Sequence, residues 1–210
     1  MDIIRNRHEA GELLADQLVK YKDREGVVLA IPRGGVPVAV PIAERLKMPL
    51  EVALIKKIGH PANPEYAIGA ASLQSISIDS TISVPQDYIT AETERVRQNL
   101  REKYKRFMGD RKPVSLQNKV VIIVDDGIAT GKTLLATIDM VKQQAPAAKV
   151  VAVPVAPVSA IHKIKELVEE VVCLLTPHDF QAVGQFYEEF GQTSDEEVVT
   201  LLQSIHNPAS

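Results

Sequence analysis

Two adjacent carboxylates followed by small residues stand directly after a short apolar segment of the chain. The apolar segment is Val120–Val124, the carboxylates are Asp125 and Asp126, and the turn at 127–133 that follows them is rich in small residues. Such a turn at the start of a helix presents backbone N–H groups, and the helix N-terminus favours an anion such as phosphate. Carboxylates repel phosphate, so the two aspartates are expected to bind a sugar diol or hydrated Mg²⁺. A phosphorylated ribose satisfies both halves of the segment.

The candidate substrate-binding residues of this segment are Asp125, Asp126, Gly127, Ile128, Ala129, Thr130, Gly131, Lys132 and Thr133. A Walker A loop is the nearest alternative, but it needs four residues between its first glycine and its Gly-Lys pair. Here three residues, 128–130, separate Gly127 from Gly131, and the position of the first Walker glycine is held by Asp126. An ordinary glycine-containing turn between strand and helix stays open as a structural alternative, because such turns are common in α/β folds.

The elements that must position this turn alternate along the chain. Short apolar runs predict buried strands at 27–31, 50–55, 120–124, 150–155 and 171–175, with short strands near Ile76 and Ile82. A first helix is predicted to end near Gly26 and a second near Leu46. Further helices are predicted over 90–106, 130–144, 159–169 and 179–190, and a last one begins at Ser194, with Thr90 and Ser194 as caps. This alternation predicts an α/β fold with a mostly parallel, twisted sheet flanked by helices.

Composition limits the classes of protein that fit. A chain of 210 residues with 45% hydrophobic residues predicts a single domain, with a core over about 1–176 and a small C-terminal part over about 177–210. A net charge of −3 gives no reason to expect nucleic acid or an anionic membrane as partner. The lone Cys173 precludes an internal disulfide, and no apolar leader or membrane-length run occurs, so we expect a cytoplasmic protein.

The segment VVIIVDDGIATGKT at 120–133 resembles the phosphoribosyl-pyrophosphate signature of type I phosphoribosyltransferases. A second segment, IPRGGV at 31–36, follows the first predicted strand, where this family has its pyrophosphate loop and often a cis peptide. The PRGG and NPEYAIGA segments together look closest to a bacterial branch of the family. The resemblance implies a type I phosphoribosyltransferase-like fold with a small hood and a flexible loop. It also implies a pentosyltransferase that moves the phosphoribosyl group of 5-phosphoribosyl-1-pyrophosphate to an acceptor and releases pyrophosphate.

The same resemblance assigns roles around the pyrophosphate. Arg33 would clamp it, while Gly34 and Gly35 let the backbone approach. The polar segment 56–64 is predicted to be a loop, and 56–70 corresponds to the flexible loop that closes over the substrate. The catalytic candidates of the resemblance are Arg33, Lys56, Lys57 and Glu65. A solvated loop without catalytic residues is the alternative for 56–70.

The resemblance also bears on the acceptor, the metal and the partners. Tyr66 and, in the hood, His178 and Phe180 are candidates for the acceptor site, although aromatic residues in a small lid often form its own core. Mg²⁺ is expected as cofactor, bound through the substrate and by water to the two aspartates, with no direct protein ligand. The implied partners are small molecules, namely phosphoribosyl-pyrophosphate and an acceptor, and a homodimer is compatible with the family.

The sequence narrows the range of possible acceptors without identifying one. The 6-oxopurine members of the family have an aspartate immediately before the Thr-Gly of the signature loop, and this chain has Ala129 there. That difference argues against hypoxanthine or guanine and leaves a nucleobase or a related nitrogen compound. The alternative from another class of protein is a non-enzymatic regulator that senses phosphoribosyl-pyrophosphate or nucleotides on the same fold.

Overall fold

A computed structural model describes residues 3–206 and contains a central parallel sheet with helices on both faces. Its five strands lie in the order β2-β1-β6-β7-β8, and a separate antiparallel sheet has the order β3-β4-β5. The strands are β1 Gly26–Ala30, β2 Leu50–Val52, β3 Lys56–His60, β4 Asn63–Ala71, β5 Ile76–Ile78, β6 Val120–Val124, β7 Ala148–Val155 and β8 Glu170–Leu175. The helices are α1 Arg7–Gln17, α2 Gly35–Leu46, α3 Gln86–Met108, α4 Lys132–Lys142, α5 Val158–Lys165 and α6 Asp195–His206. The α/β fold class predicted from the sequence is confirmed.

Neighbouring strands β1 and β6 form the centre of the sheet and are buried along their whole length. They pair in parallel from Gly26 opposite Val120 to Ala30 opposite Val124. Because alternate residues point to opposite faces, Val28 and Ile122 face one apolar cluster, while Val27 and Ile123 face the other. The continuous apolar runs in the sequence follow from this burial on both faces.

The prediction that residues 56–64 form an irregular loop was wrong. Strands β3 and β4 form an antiparallel hairpin in which Lys57 lies opposite Ala70 and Ile58 opposite Gly69. The register shifts around Gly59, where a Cβ atom would lie 2.4 Å from the Pro64 carbonyl oxygen. Glycine in a strand often marks such a bulge, so the glycine and proline residues that suggested a loop instead mark an irregular strand pair.

Two other local predictions need correction. The long helix α3 begins at Gln86 after Pro85, not at a Thr90 cap. The Thr90 hydroxyl donates to the Gln86 carbonyl oxygen at 2.9 Å inside the helix, as threonine often does. The strand predicted near Ile76 is β5, but no strand forms near Ile82, and β2 ends at Val52 rather than at residue 55.

The tail also differs from the prediction of a helix over 179–190, since only Val183–Phe186 forms a single 3₁₀ turn. The backbone there bonds to the N-terminal segment instead: the Ile4 amide donates to the Phe186 carbonyl oxygen at 2.9 Å. The predicted cap of the last helix is confirmed, because the Ser194 hydroxyl oxygen accepts from the Glu197 amide at 3.1 Å. Helix α6 then buries Val198 in the core beside α2 and α3.

Within residues 3–206, no helix is both long and apolar enough to cross a membrane. Cys173 is half-buried, and its burial raises the pKa of the thiol to about 11. The thiol donates to the Leu175 carbonyl oxygen at 3.2 Å. Cys173 therefore packs as a neutral side chain at physiological pH, as free cysteines in apolar surroundings commonly do.

Candidate active site

The IPRGGV loop and the signature turn meet because they follow the two adjacent central strands β1 and β6 at the same edge of the sheet. The chain leaves β1 towards β2 on one side, while β6 lies on the other, and such a divergence opens a crevice for ligands. A Cβ atom on Gly34 would lie 2.0 Å from Asp126 Oδ2, and one on Gly35 would lie 2.7 Å from the Val124 carbonyl oxygen. Both glycines are therefore required for this close approach. The Pro32–Arg33 peptide is cis, as the resemblance suggested.

The signature turn forms an open concavity of about 170 Å³ lined by Asp125 and residues 127–134. Gly131, the residue before α4, has a φ of 72°, in the left-handed region that favours glycine. Ile128 is buried, and its amide donates to the Val155 carbonyl oxygen at 2.8 Å, which anchors the turn to β7. In the described part of the chain, the backbone amides of residues 129–134 donate no intramolecular hydrogen bond. These unpaired donors at a helix N-terminus form a site suited to a phosphate group.

The two aspartates of the signature have different surroundings. Asp126 Oδ2 accepts from Arg7 Nε at 2.8 Å, and its carbonyl oxygen accepts from the Tyr187 hydroxyl at 2.9 Å. Asp125 Oδ1 accepts from the Asp126 amide at 2.9 Å. Burial raises the pKa of Asp125 well above the usual carboxyl range, the charge of Asp126 acts in the same direction, and Arg7 opposes both. Asp126 is thus fixed by an ion pair, while Asp125 lines the concavity.

Arg33 is partly exposed and lies beside the N-terminus of α6. Its Nη1 lies 3.4 Å from Asp195 Oδ1, and the other oxygen of Asp195 lies 2.9 Å from Arg106 Nη1. The Arg33 guanidinium therefore already has a carboxylate partner at one of its nitrogens. Sequence reasoning missed Asp195 because the pair joins residues 162 positions apart.

The hairpin carries the predicted loop residues on its exposed side. Lys57 Nζ lies 2.7 Å from Glu65 Oε2, and this hydrogen bond lowers the pKa of Glu65. Lys56 is exposed on the same strand, and the Tyr66 ring is exposed with its centroid 6.1 Å from that of His60. Across the described ranges, no hydrogen bond or ion pair joins the 56–70 segment to Arg33 or to the signature turn.

The acceptor-site candidates in the tail have unequal surroundings. Phe180 stacks on the buried Phe186 with ring centroids 5.9 Å apart and planes inclined by 10°. His178 is exposed. One face of Phe180 is therefore used in packing the tail itself, which is the structural role that aromatic residues of a small lid were expected to have.

Sequence reasoning missed Arg7, Phe190 and the role of Tyr187. Arg7 is the first residue of α1, after the cap Asn6, whose side-chain oxygen accepts from the Glu9 amide at 3.1 Å. Its contacts with the tail and with Asp126 arise only when the two ends of the domain meet. No periodicity or short motif encodes such a contact.

An α/β fold with a crevice at the carboxyl ends of its parallel strands is typical of ligand-binding α/β proteins. The family model for the phosphoribosyl transferase domain matches residues 3–189, and the chain belongs to that family. The resemblance inferred from the two sequence segments is thereby confirmed.

Comparisons with individual proteins agree with the family. The chain is 37% identical over 211 aligned residues, 98% of its length, to a Mycobacterium tuberculosis protein of strain CDC 1551 whose name gives phosphoribosyl transferase as an unproven activity. It spans about half the length of the curated relatives it matches, with 48% of that protein covered. The crystal structure of TT1426 from Thermus thermophilus superposes with a TM-score of 0.82 and 39% identity, covering 96% of this chain and 98% of that one.

Proposed function

We propose that this chain is an enzyme, a pentosyltransferase that transfers the phosphoribosyl group of phosphoribosyl-pyrophosphate to a nitrogenous acceptor and releases pyrophosphate. The observation that carries the proposal is the row of unpaired amides at 129–134 directly beside Asp125, on the crevice that also receives the PRGG loop. A phosphate-binding turn and a carboxylate side by side match a phosphorylated sugar.

In the proposed complex the two ends of the substrate lie on different loops. The amides of 129–134 and the hydroxyls of Thr130 and Thr133 hold the 5′-phosphate, and Asp125 and Asp126 accept hydrogen bonds from the ribose hydroxyls. Arg33 binds the pyrophosphate, and Gly34 and Gly35 allow the backbone to approach it. Binding energy from the remote 5′-phosphate thereby helps to hold the anomeric carbon in position.

The proposed reaction breaks the bond between the anomeric carbon and pyrophosphate through an oxocarbenium-like state, and the acceptor nitrogen forms the new bond. Negative charge develops on the departing pyrophosphate, so positive groups fixed next to it lower the barrier. Arg33 supplies one such group, and Lys56 or Lys57 supplies another when the hairpin closes. Closure also excludes water, which would otherwise attack the same carbon.

Mg²⁺ fits this site as a hydrated ion bound mainly through substrate oxygens. Within residues 3–206, there is no group of three or more His, Cys, Asp or Glu side chains that could hold a metal ion. Asp125 and Asp126 would contact its water shell, as hard oxygen ligands suit Mg²⁺. The ion would add positive charge at the pyrophosphate.

The proposed acceptor is a nucleobase or a related nitrogen compound, bound between the hairpin and a hood formed by the tail from residue 177. Tyr66, His178 and the free face of Phe180 are the side chains proposed to contact it. Ala129 takes the place of the aspartate of 6-oxopurine enzymes, which argues against hypoxanthine and guanine. Both substrates are small molecules, and we propose a cytoplasmic reaction, which fits the single cysteine of the chain.

A pyrophosphate-release assay across a panel of nucleobases and related amines tests the function and identifies the acceptor. We expect one class of acceptor to support turnover in the presence of Mg²⁺ and phosphoribosyl-pyrophosphate, and an Asp125→Asn/Asp126→Asn variant to release far less pyrophosphate when phosphoribosyl-pyrophosphate is below saturation. Tight binding of phosphoribosyl-pyrophosphate without turnover for any acceptor would instead support the non-enzymatic regulator.

We predict that residues 57–70 gain protection from hydrogen exchange when a phosphoribosyl-pyrophosphate analogue, Mg²⁺ and an acceptor bind, while Val120–Val124 changes little. Residues 61–67 are exposed and bury little apolar surface to offset their ordering entropy, so charged contacts with the ligand must supply the difference. Lys57→Met should reduce the gain. Lys20→Met, which removes an exposed lysine paired with Glu170, is the matched control.

Full protection of the hairpin amides without ligand would contradict this prediction. The β3–β4 pair would then be a fixed structural element, and its lysines would be removed from the proposed catalytic group.

A further inference from the structure

Residues 4–5 of the N-terminal segment and residues 186–189 of the tail are hydrogen-bonded to each other beside the candidate site. The Ile4 amide donates to the Phe186 carbonyl oxygen, and the Glu188 amide donates to the Ile4 carbonyl oxygen, both at 2.9 Å. The Glu189 amide donates to the Arg5 carbonyl oxygen at the same distance. These bonds align residues 4–5 with 186–189 and set the position from which α1 begins.

The side chain of Arg7, which follows the paired residues 4–5, extends to the signature aspartates. Its side chain is 13% exposed, and its Nε lies 2.8 Å from Asp126 Oδ2. Nη1 donates to the Gly191 carbonyl oxygen at 2.7 Å, and Cζ lies 4.0 Å from the centroid of the Phe190 ring. An ion pair, a backbone hydrogen bond and a cation–π contact thus fix one guanidinium, which leaves it a single orientation.

The contact matters because Asp126 is itself confined. Its Oδ2 packs against Gly34 of the PRGG loop, and its carbonyl oxygen accepts from Tyr187. Arg7 therefore joins the N-terminal segment and the tail to the residue at which both ligand loops meet. Its charge also reduces the repulsion between two adjacent carboxylates and a polyanionic ligand.

We propose that Arg7 is a positioning residue for the ribose-binding carboxylate pair, acting through Asp126 and held in place by Phe190. This inference rests on the proposed function, because the ligand is the one assigned to the site above. Arg7 does not touch the reacting atoms. It fixes the carboxylate and lowers the local negative charge, so its loss should weaken ligand binding more than it slows the chemical step.

The test compares Arg7→Met with Arg7→Lys, and with Arg5→Met as the matched control. Arg5 is an exposed arginine two positions away, and substitution leaves its backbone bond to Glu189 in place. For Arg7→Met we expect about a tenfold rise in both the Kd and the KM of phosphoribosyl-pyrophosphate, the loss for one charged contact, with kcat changed less than about threefold. Arg7→Lys keeps the positive charge but lacks the planar guanidinium with its several N–H donors, so it should retain part of the affinity that Arg7→Met loses. The control should match the wild type.

A double-mutant cycle with Asp126→Asn tests whether Arg7 acts through Asp126. If it does, Arg7→Met should raise the Kd less on the Asp126→Asn background than on the wild type, because the ion pair is already lost and only a neutral acceptor for Arg7 remains. Independent, multiplicative effects would overturn the proposal. So would a fall in kcat at unchanged Kd and KM, since a smaller folded fraction produces that pattern.

Phe190→Leu serves as the second variant if Arg7→Met does not fold. It removes only the stacked ring, and we expect a smaller rise in the Kd of phosphoribosyl-pyrophosphate, about threefold, for a contact of this kind. If the wild-type protein binds phosphoribosyl-pyrophosphate, and Arg7→Lys and Phe190→Leu both bind it with the wild-type Kd, the positioning role alone is overturned. Failure of the wild-type protein to bind phosphoribosyl-pyrophosphate in calorimetry would overturn the proposed function, and the positioning role with it.

Discussion

Replacing Asp125 and Asp126 together by asparagine is expected to weaken phosphoribosyl-pyrophosphate binding by about 100-fold, since two charged hydrogen bonds are worth about 1.5 kcal/mol each or more. The fold should change little. Both residues follow β6 at the edge of the sheet, and asparagine keeps an acceptor oxygen for Arg7 and for the Asp126 amide. Calorimetry with phosphoribosyl-pyrophosphate and Mg²⁺ measures the affinity, and thermal unfolding measures the stability.

Asp139→Asn is the matched control for this pair, because Asp139 is an exposed carboxylate on α4, outside the concavity. It should bind the ligand as the wild type does. Unchanged affinity in the Asp125→Asn/Asp126→Asn variant would count against the ribose assignment. Loss of the folded state would mean instead that the two carboxylates mainly hold the turn together.

Arg33→Ala is expected to slow turnover by raising its activation free energy by about 2 to 4 kcal/mol, in line with the loss of one donor to a developing negative charge. Binding of ribose 5-phosphate should change little, because that ligand lacks the pyrophosphate assigned to Arg33. Steady-state pyrophosphate release and calorimetry with ribose 5-phosphate separate the two effects.

Asp195→Asn is the control that isolates the guanidinium from its ion pair. It removes the charged partner of Arg33, yet leaves the arginine in the loop, so turnover should stay within about threefold of the wild type. Equal losses of turnover and ribose 5-phosphate binding in Arg33→Ala would contradict the division between the two ends of the substrate.

Local patterns in the sequence were sufficient to predict the central strands of the fold and the two turns that follow β1 and β6. The runs that became β1 and β6 are apolar without interruption because both faces of the sheet are covered. The roles of Gly34 and Gly35 were implied by the family resemblance, and the structure shows the close backbone approach that requires glycine at both positions. The placement of these segments relative to each other followed from the rule that parallel strands share one ligand-binding edge.

Contacts between distant segments could not be predicted in the same way. The 56–64 segment resembles a loop residue by residue, and it becomes a hairpin because Ile58 and Ile68 are buried in the core. Residues 179–190 lose their predicted helix because their backbone bonds to the N-terminal segment. Arg7 and Asp195 carry no sequence signature, since each acquires its partner only in the folded chain.

The pairing of β1 with β6 also has a consequence for the order of folding. Gly26 and Val120 are partners although 94 positions separate them (120 − 26), so the crevice cannot form until a long segment has been closed. Such non-local pairing slows folding, while the closure entropy grows only slowly with length, by about 0.6 kcal/mol for each doubling. Added residues at the hairpin tip should therefore cost little stability. Substitutions that disturb the β1–β6 register should slow folding and delay assembly of the ligand site.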